Sequence, residues 1–413
     1  MRIAPPAAAH TTVRGAAAAL AGRVERTPLL ASAELSALTG CEVHLKLENL
    51  QRTGAFKIRG ALNRLLALDA DERARGVVTA SAGNHGQGVA VAASALGIPA
   101  CIVLPRGVPL AKLTAIQRTG AEVVITGADY DAAHAAALEI GGRRGALYVH
   151  AFDDPAVIAG QGTVAREMLE DRPDLDAIVV PVGGGGLLAG TALALAEAGS
   201  RAELIGVQAS GASAFADAIR TGTIAPGGSA TIADGIAVRE PAVRTLAISR
   251  ARGASMRVVT DEAIARAIVV LLERHKLLAE AAGAAGVAAL LEDNGALAGK
   301  RVGVIVSGGN IDPNLLGKVV QQGLASAGRY LAFRTWLDDK PNQLHLLTGI
   351  LGDEHINILH VGIHRLGPYT TLGRVGLDVI VDTRDAAHAQ DVLALVRRSG
   401  FPAEEILDLR PAQ

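Results

Sequence analysis

Over most of the chain, short apolar runs alternate with longer segments in which apolar residues recur every three or four positions. The runs VHLKLEN, GVVTAS, PACIVLP, AEVVITG, ALYVHAF, DAIVVPV, ELIGVQAS and RVGVIVSGG predict strands. GQGVAVAASALG, VPLAKLTAIQRTG and DEAIARAIVVLLERHK, lying between them, predict helices. Gly97, Gly120 and Gly127 close helices or strands, and Pro99, Pro105 and Pro109 punctuate the loops. Such alternation marks a mostly parallel α/β sheet covered by helices.

The pattern changes near Gly328. YLAFRTWL reads as a strand, DDKPN as a turn, QLHLLTGILGD as a helix, INILHVGIHR and TLGRVGLDVIVDT as strands, DAAHAQDVLALVRRSG as a helix and EEILDLR as a last short strand. That is βαββαβ, the ferredoxin-like order, and the small-residue stretch GLASAG before it reads as a linker. We therefore expect a separate module over 328–413 after an α/β domain over 1–327.

With 413 residues, half of them hydrophobic, the chain is long enough for two or three domains with large cores. Its 40 lysines and arginines balance 41 acidic residues, and aromatics make up 2% of it, so neither a basic groove nor a stacking surface for nucleic acid is expected. Small polar ligands become the default partner. Cys41 and Cys101 lie far apart in apolar segments and fit core positions in a reducing compartment. No apolar run reaches the roughly 18 residues of a membrane span, and the N-terminal segment is broken by His10, Thr11, Thr12 and Arg14, unlike a secretory signal. We expect a cytoplasmic protein with no membrane partner.

Three strand-to-helix junctions look chemical. PVGGGGLLAG places Gly183, Gly184, Gly185 and Gly186 between a strand and a helix, where backbone N–H groups and missing side chains suit a phosphate. Gly184, Gly186 and Ala189 satisfy a dinucleotide fingerprint, but the position for its ribose carboxylate holds Gln208. No Lys-Ser or Lys-Thr follows the glycines, so a P-loop fails too. SAGNHGQGVA supplies Ser81, Asn84 and His85 at a second helix start, which suits a carboxylate; an ordinary turn with Asn84 as the N-cap is the alternative. SGGN leaves Ser307 at a strand's C-terminal end, where a lone serine is otherwise a cap or turn former.

The stretch AFKIRG sets Lys57 between Phe56 and Ile58, and a desolvated lysine can serve as a nucleophile. Taken alone, it fits a solvated lysine better. Lys46, alternating with Leu45 and Leu47, is expected to point to solvent.

AFKIRG, SAGNHGQG, VGGGGLLAG and SGGN, in that order and flanked by HAFDDPAVIAGQGT and IADGIAV, resemble the threonine dehydratase (threonine ammonia-lyase) family of pyridoxal-phosphate enzymes of fold type II, the tryptophan-synthase-β type. The likeness covers about residues 10 to 325. It implies two open α/β subdomains, the smaller over about 62–149 inserted in the larger, with pyridoxal 5′-phosphate between them. Lys57 would form the Schiff base with the cofactor and then take the substrate's α-proton. Phe56 would lie against the ring, Asn84 would bond its 3-oxygen, Gly183 to Gly186 and Leu187 would hold the phosphate, and Ser307 would meet the pyridine nitrogen. Ser81, Ala82, Asn84 and His85 would bind the substrate, with Gly235 and Glu280 in or near the pocket.

A serine at the ring nitrogen leaves that nitrogen neutral, which favours expulsion of a β-substituent over a long-lived carbanion. The resemblance thus implies β-elimination: L-threonine to 2-oxobutyrate and ammonia, and L-serine to pyruvate. Racemases of the family carry a second serine in the asparagine loop and a glutamate metal ligand after the strand that follows the glycines; Ala82 and Gln208 stand there, so a dehydratase without a metal is the expectation. Ala55 and Ala281 also depart from the usual serine and glycine or proline. A racemase, a dehydratase of another β-hydroxy amino acid and an amino-acid sensor with vestigial turnover are the alternatives.

The C-terminal module resembles an ACT domain, a regulatory fold that binds amino acids. Its usual Asp-x-Pro-Gly-x-Leu turn reads Asp339, Lys340, Pro341, Asn342, Gln343, Leu344 here, and the asparagine adds a side chain where glycine admits a ligand. Isoleucine or valine is the effector this likeness implies, and a homodimer or homotetramer the assembly. His355, His360 and His364 invite a metal reading, but strand spacing sets the last two roughly 13 Å apart on one face.

Overall fold

The computed structural model describes residues 8–108, 110–365 and 372–406. Pro109, the N-terminal residues 1–7, Thr371 at the head of TLGRVGLDVIVDT and the end of EEILDLR lie outside them. The chain divides into two compact units between Leu316 and Gly317.

The first unit holds two sheets. Strands β1 (Leu29–Ser32), β2 (Glu42–Leu47), β7 (Ala177–Pro181), β8 (Glu203–Ala209), β9 (Ser255–Val259) and β10 (Arg301–Val306) form the larger, in the order β1-β2-β10-β7-β8-β9. Only β1 runs antiparallel to its neighbour. Strands β3 (Val77–Ala80), β4 (Ala100–Leu104), β5 (Glu122–Ile125) and β6 (Leu147–Tyr148) form the smaller, fully parallel sheet, in the order β5-β4-β3-β6. All four lie in the chain between β2 and β7, so the smaller sheet is an insertion into the larger. Two strands escaped the sequence reading. β1 and β9 sit at the two edges of the large sheet, and neither has the strictly buried or alternating character that marks a strand.

Helices cover both faces of the large sheet, so its inner strands are buried on both sides. That arrangement overturns the expectation for Lys46. Alternation would send its side chain to water only if one face of β2 were wet; instead Lys46 is 0% exposed. Its Nζ donates to Glu167 at 2.6 Å and to the Thr27 carbonyl at 2.6 Å. Gln208, in β8, accepts from the Ala216 N–H at 2.8 Å and so serves the start of the next helix. Cys41 and Cys101 are buried free thiols.

The second unit holds β11 (Tyr330–Asp338), β12 (Ile358–His364), β13 (Arg374–Asp382) and β14 (Ala403–Glu405) in an antiparallel sheet ordered β12-β13-β11-β14, with helices Gln343–Asp353 and Ala386–Arg398 in the chain order βαββαβ. Its core joins Leu331, Phe333, Leu377 and Val379 to Leu347, Leu351, Val392 and Val396. GLASAG differs from its reading as a linker: the helix Pro313–Ser326 runs through most of it. Alanine and leucine favour helix over loop, and Gly328 (φ 68°) marks the turn that follows it. Asn342 adopts the left-handed backbone (φ 76°) that the family's glycine would take.

His360 and His364 share a face as the alternation requires, yet both Nε2 atoms lean to within 4 Å of where a Gly362 side chain would start. Their rings are therefore nearer than backbone spacing indicates. His364 bonds Asp378 at 3.0 Å, and Arg334 holds the same carboxylate. Among the described residues no three ligating side chains gather for a metal.

Candidate active site

Lys57 is the first residue of the helix Lys57–Leu66. Its Nζ donates to the Ala151 carbonyl at 3.1 Å and lies 5.1 Å from the centroid of the Phe56 ring. Among the described residues it forms no ion pair. Burial pulls its pKa down to about 8, partly opposed by the charge of Glu280. A neutral amine is therefore accessible near physiological pH.

Phe56 is buried and its N–H donates to the Ser307 carbonyl at 3.1 Å, which ties the lysine loop to the end of β10. Ser307 is 3% exposed, and its hydroxyl has no partner among the described residues. A hydroxyl can both donate and accept, and this one has neither role filled by the protein's described residues. It is a group waiting for a ligand.

The glycine loop follows β7. Gly185 takes φ 87° and caps the helix Gly186–Glu197, whose first N–H groups open on the loop. A side chain at Gly184 would start 2.5 Å from the Phe152 ring, and one at Gly185 would start 2.2 Å from Phe215. Thr245 pins the loop by donating to the Gly184 carbonyl at 2.7 Å. Leu187 is buried at the first turn.

On the smaller sheet, β3 ends at Ala80, and Ser81, Ala82 and Gly83 lead into the helix Asn84–Leu96. Gly83 is its N-cap, so Asn84 is not the cap that the alternative reading required. The Asn84 amide instead donates to Glu280 Oε1 at 2.7 Å. Ser81 Oγ accepts from the Gly83 N–H at 3.2 Å. His85 is 3% exposed and its Nε2 donates to the Val149 carbonyl at 3.0 Å. Burial and the Lys57 charge push its pKa down to about 3, so the ring is neutral, and its Nδ1 is buried with no partner among the described residues.

Glu280, which the motifs placed less securely, closes the ring of groups. It is 5% exposed and precedes the helix Ala281–Leu291. Burial, reinforced by Asp234, lifts its pKa to about 7. Gly235 lies so near that a side chain there would start 3.6 Å from Glu280 Oε1. Lys112, in the insertion, pairs with the adjoining Asp234 at 2.6 Å. Phe152, the Ala151 carbonyl, Thr245 and Lys112 were not singled out from sequence; for the first two, the quoted segment HAFDDPAVIAGQGT was the available signal.

Strand ends, a glycine cradle, a desolvated lysine and an unpartnered serine together define a pyridoxal-phosphate enzyme, and residues 20–308 match the family of pyridoxal-phosphate dependent enzymes. The chain belongs to that family. It is 43% identical to the L-threonine ammonia-lyase of Thermotoga maritima over 92% of this chain and 94% of that one. It is likewise 43% identical to the L-threonine ammonia-lyase of Geobacter sulfurreducens, over 95% and 98% of the two chains. Among solved structures, maize serine racemase superposes with a TM-score of 0.70 at 36% identity, covering 76% of this chain and 97% of that one.

Proposed function

We propose that the protein is a threonine ammonia-lyase that converts L-threonine to 2-oxobutyrate and ammonia, and L-serine to pyruvate. The observation that carries the reading is Lys57: a lysine amine with no anionic partner among the described residues, held by one carbonyl, in a loop that the Phe56 N–H ties to the Ser307 carbonyl. Once bound, pyridoxal phosphate supplies an electron sink for the substrate's Cα–H bond. The N–H groups of Gly183 to Leu187 would hold the phosphate, Ser307 Oγ would meet the ring nitrogen, Phe56 would lie on the ring and Asn84 would donate to its 3-oxygen. Ser81 Oγ and the N–H groups of Asn84 and His85 orient the substrate carboxylate, with Ala82 and Gly235 lining the same space. Lys57 Nζ, neutral, takes the α-proton.

Ala82 separates this reading from a racemase. The methyl group can neither give nor take a proton on the second face of the substrate. Incubation with L-threonine is expected to release 2-oxobutyrate and ammonia in equal amounts. Formation of D-serine from L-serine without oxoacid would overturn the assignment in favour of racemisation.

We place the enzyme in the cytoplasm, where its two buried thiols stay reduced; among the described residues no helix is long and apolar enough to cross a membrane. Residues 1–327 carry catalysis and 328–413 regulation, in a homodimer or homotetramer. Isoleucine or valine acts on the second unit. A threonine titration with and without each amino acid tests this, and an unchanged rate and cooperativity would remove the effector.

A further inference from the structure

We infer that Asn310 is a positioning residue: it fixes which end of the Asn84 amide faces the cofactor pocket. The inference rests on the role proposed above for Asn84. Asn310 ends the SGGN segment, of which only the serine had been given a part.

The chain of donors and acceptors leaves one solution. The Thr53 carbonyl can only accept, so the Asn310 atom 2.7 Å from it is the amide nitrogen. That nitrogen has a second hydrogen, directed at Asn84 at 2.8 Å, and so the near end of Asn84 must be its oxygen. Gln87, at 3.4 Å, is a distant third acceptor. The far end of Asn84 is then its nitrogen, which spends one hydrogen on Glu280 and keeps the other free. Glu280 selects the same orientation only while it is ionised, whereas Asn310, fixed as a donor by the Thr53 carbonyl, does so in either state; the reversed rotamer would offer an oxygen to the ring's 3-oxygen. Asn310 is held by the backbone around it. Gly309 donates to the Gly54 carbonyl at 2.8 Å, and a side chain at Gly54 (φ 70°) would start 2.4 Å from Asn310 Oδ1. The lysine loop, the asparagine helix and the end of β10 therefore meet at one amide.

The test is equilibrium binding of pyridoxal phosphate to apoenzyme, followed by absorbance, with thermal melts of each apoenzyme. Asn310→Ala and Asn84→Ala are each expected to weaken binding about tenfold, the scale of one oriented hydrogen bond. The double variant should be no weaker than Asn84→Ala alone, because Asn310 acts through Asn84. Asn310→Asp is isosteric but cannot donate. It should bind more weakly than Asn310→Ala when Asn84 is present and no differently when it is absent. This variant also carries the test if Asn310→Ala does not fold. Additive losses near a hundredfold, or an unchanged affinity in Asn310→Ala beside a weakened Asn84→Ala, would overturn the inference and leave the Asn84 role intact. An unchanged Asn84→Ala would remove that role and the inference with it.

Discussion

Lys57 and Arg59 are two residues apart on one helix, the first half-buried and the second fully buried, and they live in opposite electrostatic worlds. Arg59 meets Glu48 through two nitrogens at 2.8 and 2.9 Å, Glu167 at 2.7 and 3.0 Å, and the Glu25 carbonyl at 3.0 Å. Lys46 joins the cluster through Glu167, giving two cations and two carboxylates with no net charge. Lys57 has one carbonyl. Burial raises the cost of charge in both places, but in the cluster every charge is matched. At Lys57 the match is left out, and the amine drifts toward neutrality. What marks the reactive side chain is unfinished pairing, since Arg59 is the more deeply buried of the two and still keeps its charge matched.

That contrast breaks first at Lys57. Lys57→Ala is expected to lower 2-oxobutyrate release on the order of 10⁴-fold and to leave no cofactor fixed to the protein after borohydride treatment. A variant that still traps the cofactor covalently would show that another amine does the work. On the other side, Glu48→Ala strands Arg59 in the core and should cost about 3–5 kcal/mol of unfolding free energy. Denaturant melts check it, and a loss below about 1 kcal/mol would mean that Glu167 alone suffices for Arg59.

Glu280 sharpens the comparison by pH. Its native pKa, about 7, lies above the ordinary 4.5, so the folded protein binds that proton more tightly than the unfolded chain does. The stability gained from it is complete below 4.5 and is lost as pH rises to 7. Glu280→Gln cannot ionise and escapes this loss. The melting temperature of the variant apoenzyme, relative to the parent, should therefore climb between pH 4.5 and 7 and level off above, an effect on the order of 1–3 kcal/mol. Lys57, whose pKa is lowered to about 8, contributes only above that window. A difference that stays flat with pH would mean that Glu280 titrates normally.

The parallel sheets and the βαββαβ order were legible because apolar periodicity is a local signal, and residues three apart report on one another. The site motifs were legible as a set because each occupies a strand-to-helix junction. Lys46 was misread because local alternation cannot say whether a strand's second face is covered; that depends on the helix carrying Glu167, far along the chain. The surroundings of the His85 ring turn on a similarly distant contact. Its partner is the carbonyl of Val149, on the far side of the insertion, and only the fold brings the two together. Asn310 was passed over because its meaning is relational: it touches Thr53 and Asn84, segments separated from it by more than 200 residues.

The smallest change tests the boundary between elimination and racemisation. Ala82 lies between Ser81 and Gly83, at the open end of β3, and is partly accessible. Ala82→Ser adds one hydroxyl there without altering the lysine, the glycine loop or Ser307. If the missing second proton carrier is what confines the enzyme to elimination, the variant should form D-serine from L-serine at a few per cent of the rate of pyruvate release, seen by chiral chromatography, while threonine turnover falls no more than about threefold. The effect stays small because a hydroxyl needs a partner to move a proton, and the neighbouring His85, whose Nε2 already meets Val149, has only a buried Nδ1 to offer. Absence of any D-serine would place the barrier in that relay rather than at residue 82.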